Sequence, residues 1–526
     1  MGRQPLVTLM ATFSVAAGCG SGSGSVGGDA GTAVSDGLSS VPEAGGILSL
    51  DDLMDPVACK GCHPQQYQTW SGSMHAYAGE SPVFVALNKR GQREAHLGDF
   101  CLRCHAPMAQ QMGLSTDGSN LAEVPAKYKG VTCYFCHSVA DVQGIHDNPI
   151  VLRSDGVMIG QLSDPAPTSA HASAYASWLD RDEWDSSTMC GSCHDIKTGA
   201  GTIERTYQEW AESVFAQKPG GATCSQCHMD QSTDLEPGAA GLGLPLRRLH
   251  DHGYPAIDLA LIAFPETHTQ RAQVQAFLDG ALQSALCVRS EGGNATIQVV
   301  LDNVASGHGF PSGAAMIRRA WVELKAFVGD QIIYQSGVVP DGGSVVALGD
   351  PDLWLMRDCL LDDNNREAMP WAATHFESSA LPAQLTFDRN DPNFYRSHVY
   401  EVFPRVRAAQ VVDGGVASDG GVPESSGGPS LSAVPDRVQM RVRLESVGAD
   451  FIENLIASGD LDPSFRNQIP VFNLGGDAPL EWTPTSANEL FLDQSGAPVS
   501  CISKTNLKAQ AGRVRASEIS HCKPQL

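Results

Sequence analysis

Positive charge is scarce in this sequence. Lys and Arg number 35 against 59 Asp and Glu, a formal charge of −24. That balance argues against nucleic acid and anionic membrane as partners. Long apolar runs are scarce too. After residue 20 no stretch reads as a transmembrane helix, so membrane attachment is expected through lipid alone. Charged residues make up only 18% of the 526, while 42% are hydrophobic, so the chain can bury a core. Its length suits two or three domains of roughly 100–200 residues each.

Cysteine, by contrast, is abundant, at 15. Ten of these fall into five C-x-x-C-H units. The first is Cys59 and Cys62 with His63, and the second is Cys101 and Cys104 with His105. The others are Cys133 and Cys136 with His137, Cys190 and Cys193 with His194, and Cys224 and Cys227 with His228. At this composition chance supplies on the order of one hundredth of such a match. Two Cys three residues apart lie on one face of a helical turn. Both sulfurs can then reach the two vinyl groups of one porphyrin, and the adjacent His sits beneath the iron as proximal ligand. A zinc site would need paired units making four-ligand sets, and a dithiol redox motif would be single and lack the fixed His. The pattern implies five covalently attached c-type haems.

The amino terminus fits an exported chain. Arg3 is a weak basic region and Leu6 to Ala17 a short apolar one. Val15-Ala16-Ala17-Gly18-Cys19 resembles a bacterial lipobox, in which Cys19 becomes the acylated terminus and anchors the protein to a membrane. The alternative is a plain signal peptide cut after an Ala. The expected location is periplasmic or an outer-membrane lipoprotein. Residues 1–19 thus read as signal peptide. Residues 20–49, mostly Gly, Ser, Ala and Asp, read as a flexible tether spanning on the order of 30 Å.

The expected fold class is α+β. Residues 50–290 carry all five motifs on short helices (around Pro64–Trp70, Tyr207–Phe215 and Thr267–Leu282) separated by long loops, with the haems supplying core. Residues 291–485 change pattern. Ala295–Asn303, Arg319–Val328 and Val438–Leu444 alternate with period two, and Gly329-Asp330 is a hairpin signal, so an antiparallel β-sandwich-like domain is expected. Residues 409–436 read as a disordered insert, Asp450–Ser458 as a helix, and 486–526 as a tail.

Eleven histidines remain for the sixth position on the irons: His75, His96, His146, His171, His250, His252, His268, His308, His375, His398 and His521. Local context selects His75, His171, His252 and His308, with His146 and His250 next. His75 follows the first motif, His171 precedes the fourth, and Asp251 could orient its two neighbours. His308 lies in the stiff loop Gly307-His308-Gly309-Phe310-Pro311. Met108, Met112 and Met229 read as packing residues. Cys287, Cys359, Cys501 and Cys522 suggest disulfides in an oxidising compartment, with Cys501 and Cys522 stapling the tail, although sequence alone does not fix connectivity.

His63-Pro64…Tyr67…Trp70…Ser73…His75-Ala76 resembles the first haem segment of the cytochrome c-552/4 family of multihaem cytochromes. So do Gly130-Val131-Thr132-Cys133…Cys136-His137-Ser138, Cys190-Gly191-Ser192-Cys193-His194-Asp195 with Thr206-Tyr207…Glu209-Trp210, and Cys224…Cys227-His228-Met229. The resemblance covers roughly residues 55–255. Asn303…Gly307-His308…Pro311-Ser312-Gly313 and Trp354…Arg357-Asp358 look like the β-rich tail of larger members. It implies a haem-stacking architecture found in pure electron carriers and similar to hydroxylamine oxidoreductase-type enzymes. No C-x-x-C-K unit, the mark of a specialised catalytic haem, is present. The expectation is electron transfer between extracytoplasmic redox proteins, a donor and an acceptor. The alternative is a multihaem oxidoreductase acting on a small nitrogen or sulfur compound at a five-coordinate haem. The β domain could also present the haem domain to a partner.

Overall fold

The computed structural model describes residues 48–503, apart from 167, 169, 242, 341, 387–395, 404–433, 487–488 and 493–497. The signal peptide, Cys19, most of the tether and insert, and Cys522 lie outside the described residues. No helix among the described residues is long and apolar enough to cross a membrane.

The first half is short helices and small two-stranded sheets. The residues around each motif explain the local turns. Asp55 caps Pro56–Cys59, accepting from Val57 N at 2.9 Å. Thr132 caps Cys133–His137. Thr223 and Gln226 form a reciprocal capping box on Cys224–His228. Pro64 opens the helix Pro64–Ser71 directly after His63, a position where the missing N–H costs nothing. Gly130, at φ +68°, is pressed so closely to Ala76 O that a Cβ would sit 2.3 Å from it. That approach lets Val131 N donate to His75 O at 2.8 Å and Trp70 Nε1 donate to Val131 O at 2.8 Å.

The second half is a two-sheet sandwich. Its strands are β1 (Gln283–Glu291), β2 (Asn294–Asp302), β3 (Arg319–Val328), β4 (Gln331–Ser336), β5 (Arg396–Val402), β6 (Arg437–Glu445), β7 (Val471–Asn473), β8 (Leu480–Trp482), β9 (Glu489–Leu492) and β10 (Pro498–Ser503). One sheet runs β5-β2-β1-β10-β9. The other runs β4-β3-β6-β7, with β8 and Leu355–Met356 added at its flanks. All these pairs are antiparallel. Ile297 and Val299 from one sheet share a dry core with Val322, Leu324, Met440 and Val442 from the other.

Two expectations need correction. The sheet continues past residue 485, because β9 and β10 complete it, so the sandwich reaches residue 503. The tail staple is also different. Cys501 is bonded to Cys287, its directly opposed partner on the neighbouring strand, and not to Cys522.

The halves are packed together. Val83 and Ala86 on helix Pro82–Ala95 share a buried cluster with Ile452 and Leu455 on helix Ala449–Ala457. Arg93 pairs with Asp460, and Arg318 grips Asp258 with two bonds of 3.0 Å.

Candidate haem sites

The motif cysteines are clustered across motifs. The Cys59 sulfur is a hydrogen-bond neighbour of Cys133, Cys104 of Cys193, and Cys190 of Cys224. Cys136 feels the charge of Cys193, which connects the first group to the second. The five motifs therefore form one connected series: first to third to fourth, with the second and fifth both meeting the fourth. Gly191 makes part of this closeness possible, since a Cβ there would lie 2.5 Å from the Tyr207 ring.

Cys62 and Cys101 are placed differently, although both are half-buried free thiols. The structure does not bring Cys62 into any of the three sulfur pairs, contrary to what its partner Cys59 does. Its backbone is what is held: Cys62 N donates to Cys59 O at 3.2 Å, and Cys62 O accepts from Ala240 N at 2.7 Å. Burial pushes the Cys101 thiol up to about 11. Cys227, the second cysteine of the fifth motif, is disulfide-bonded, as is Cys359. A thioether at Cys227 would use the same sulfur in place of that bond.

Histidine rings face one another in pairs. His63 and His171 have centroids 6.4 Å apart, His75 and His194 6.2 Å, and His228 and His308 6.4 Å with planes within 10°. A metal–imidazole bond is about 2 Å, so two rings on opposite sides of one iron have centroids roughly 6 Å apart. The residues fit a haem iron between each pair. His252 joins the set near His137. Burial pushes it down to about 4, and His137 is the first charge acting in the same direction.

The second nitrogen of these rings is spoken for. Nδ1 lies against a backbone carbonyl in His137 (Ile159 O, 2.7 Å), His228 (Pro255 O, 3.0 Å), His171 (Ala172 O, 3.2 Å), His252 (His250 O, 2.9 Å) and His308 (Gly309 O, 2.9 Å). Donation to the carbonyl fixes the tautomer that leaves Nε2 bare for a metal. Burial favours the same neutral form, pushing His75 down to about 3 and His63, His105 and His228 to about 4.

His105 differs. Its ring stacks on Phe84 at 4.2 Å and 8°, and its Nδ1 is a long 3.4 Å from Ala78 O. The histidine whose charge it feels is His194, which is already faced by His75. Nearby, burial pushes Glu204 up to about 7, offset by Arg318 and reinforced by Asp258. Cys104 feels Glu204 and His105 feels Asp258.

The remaining candidates are placed otherwise. His146 Nδ1 lies 3.9 Å from Asp195 Oδ2, and neither atom has a hydrogen-bond partner. His250 directs Nε2 at Gln231 Nε2, 3.2 Å away, and its carbonyl is what orients His252. Among the described residues neither ring faces a motif histidine.

Sequence reasoning missed Tyr254. Its ring stands edge-on between His75 (4.5 Å) and His252 (6.0 Å), and burial raises its phenol well above the ordinary value. Nothing in Gly253-Tyr254-Pro255 signals this, because the two rings come from segments far apart in the chain.

Residues 58–138, which hold the first three motifs, match the family model described as cytochrome c554 and c-prime. The chain is also similar to the crystal structure of a penta-heme cytochrome c552 from Thermochromatium tepidum. The TM-score is 0.54 at 16% identity, over 82% of this chain and 99% of that one. At that identity the likeness is one of fold. No curated protein matches the sequence.

Proposed function

From a chain that carries a c554-type haem domain, we propose a five-haem electron carrier that passes electrons between a redox donor and acceptor outside the cytoplasm. The observation that carries this reading is the set of facing histidine rings at 6.2–6.4 Å. An iron held on both faces has no open position for substrate, and it exchanges electrons with little rearrangement. The facing pairs are His63/His171, His194/His75 and His228/His308; we assign His252 to His137 on the electrostatic influence of His137 at its ring. The connected series of motif cysteines supports one continuous path, since each thioether marks a porphyrin edge and electron exchange weakens steeply with the gap. What haem c supplies is a reversible one-electron couple; the chain's own residues set ligands, burial and solvent access.

Export is supported by the Cys287–Cys501 disulfide, a bond that persists in oxidising compartments. A lipid anchor at Cys19 completes the proposal. Cys19→Ser should move the protein from the membrane to the soluble fraction, and unchanged association would leave the lipobox without support. The whole reading is tested by the mass of the matured protein and a redox titration. Five covalent haems that all exchange electrons are expected. Four or fewer, or a haem that never titrates with the rest, overturns it.

His105 favours a second reading, an oxidoreductase acting on a small nitrogen or sulfur compound at the second haem. The His105 ring is stacked on Phe84 instead, and Glu204 nearby can hold a proton near neutral pH. Carbon monoxide separates the two readings. One equivalent bound to the reduced native protein marks an open iron, whereas none returns the second haem to the carriers.

A further inference from the structure

His308 belongs to the sandwich half, yet its ring faces His228 of the fifth motif. Something must hold its loop to the haem half within a few tenths of an ångström. The loop's own contacts fix only part of it. Asn303 Nδ2 donates to His308 O at 2.6 Å and to Pro382 O at 3.2 Å, both within the sandwich half.

The link across that lies next to His308 is a carboxylate. Glu209 sits on helix Thr206–Glu212, just after the fourth motif. Its Oε2 accepts from Gly309 N at 3.0 Å and from Ser312 Oγ at 2.6 Å, so it grips the loop on both sides of Phe310-Pro311. Thr206, one turn earlier, meets Ser312 Oγ at 2.9 Å and accepts from Gly313 N at 3.0 Å. Arg205 lies 3.4 Å from the other Glu209 oxygen and 2.8 Å from Asp358, so the carboxylate is itself held. The contact is tight. A Cβ on Gly309 would stand 2.9 Å from both carboxylate oxygens, so a larger residue there would push the Glu209 carboxylate off the loop.

We propose that Glu209 is the positioning residue for His308, carrying the sixth ligand of the fifth haem from the sandwich to the haem half. The inference rests on the reading of His308 as that ligand. The carboxylate does not touch the imidazole. It holds the N–H of Gly309, the residue whose carbonyl oxygen meets His308 Nδ1 at 2.9 Å, and so fixes the loop on which the ring is oriented. Loosening that loop frees both the position and the tilt of the ring.

The experiment measures spin state and carbon monoxide uptake in the full five-haem protein. Glu209→Ala is expected to convert one low-spin iron to high-spin and to add one equivalent of carbon monoxide over wild type. His308→Ala should do the same, and the double variant should add nothing beyond His308→Ala, because both act at one site. Glu209→Gln keeps an acceptor for Gly309 N and should restore most of the low-spin signal. An unaltered spectrum in Glu209→Ala, with His308→Ala changed, overturns the positioning role. An unaltered spectrum in His308→Ala overturns the ligand reading itself. Should Glu209→Ala fail to mature, Gly309→Ala strains the same contact from the loop side, and a wild-type spectrum there overturns the proposal.

Discussion

The rings of His228 and His308 lie 6.4 Å apart and within 10° of parallel, although one comes from a haem motif and the other from a sandwich loop. A separate docking module would not need such a relationship. If both rings bind one iron, the sandwich is part of the haem core and cannot swing. His308→Ala should then turn one low-spin iron high-spin and open it to carbon monoxide, leaving the other irons as they were. A carbon monoxide difference spectrum identical to wild type would return His308 to the ordinary loop residues.

His250 and His252 offer a sharper contrast, because they flank a single residue. The ring of His252 stands near His137, whereas His250 contributes its backbone carbonyl. His252→Ala is expected to create one high-spin iron. His250→Ala keeps the carbonyl and should leave all spin states unchanged. Magnetic resonance at low temperature reads both, and the opposite ranking would assign the ligand to His250.

Glu445 gives a pH dependence away from the haems. It is 5% exposed at the end of β6, accepting from Ala449 N at 3.2 Å. Burial pushes it from 4.5 up to about 7. A carboxyl raised in the folded state favours folding below its unfolded value, and that contribution is lost as pH climbs through about 7. Above that the ionised group costs on the order of 3 kcal/mol. Glu445→Gln should therefore stabilise the protein near pH 8 and change little near pH 4.5. Denaturant midpoints at the two pH values decide, and an equal shift at both would refute the ionisation argument.

The Cys287–Cys501 bond closes a long loop, its ends 214 positions apart in the chain. Breaking it with Cys287→Ser is expected to cost roughly 2–5 kcal/mol of stability. The loss should appear as an earlier denaturant midpoint with haem content intact. A midpoint equal to wild type would mean that the strand pairing alone holds β10.

Period-two alternation located Val438–Leu444 within the strand Arg437–Glu445, whose burial alternates along most of its length, since a strand with one face on the core writes its burial into its sequence. The haem motifs were legible for a similar reason, because the chemistry demands residues at fixed local spacing. Partnerships across the fold were not. Cys501 has Cys522 near it in the chain and Cys287 near it in space, and only the register of β10 against β1 distinguishes the two. Cys59 and Cys62 look equivalent in their motif, yet only Cys59 meets a sulfur of the third motif. His75 and His252 were selected from context, but which iron each serves depends on how Gly130 docks under Ala76 and how His250 turns its carbonyl. Glu209 appeared only as a letter in a motif, because a carboxylate on a short helix shows nothing of the loop it will grip.

The strand order has a consequence for how the protein is made. β1 lies between β2 and β10, and β10 is the last described strand. A chain that emerges amino end first presents all five motifs, and then β1 to β8, before β10 arrives. Until that moment β1 keeps one unpaired edge, a template for association with other chains. The loop bearing His308 is anchored in this unfinished sheet. If His308 is the sixth ligand of the fifth haem, haem attachment can run ahead of sandwich closure, and that iron would receive its second imidazole only late in biogenesis. Truncation within the last strands would then impair a haem whose covalent site lies far upstream.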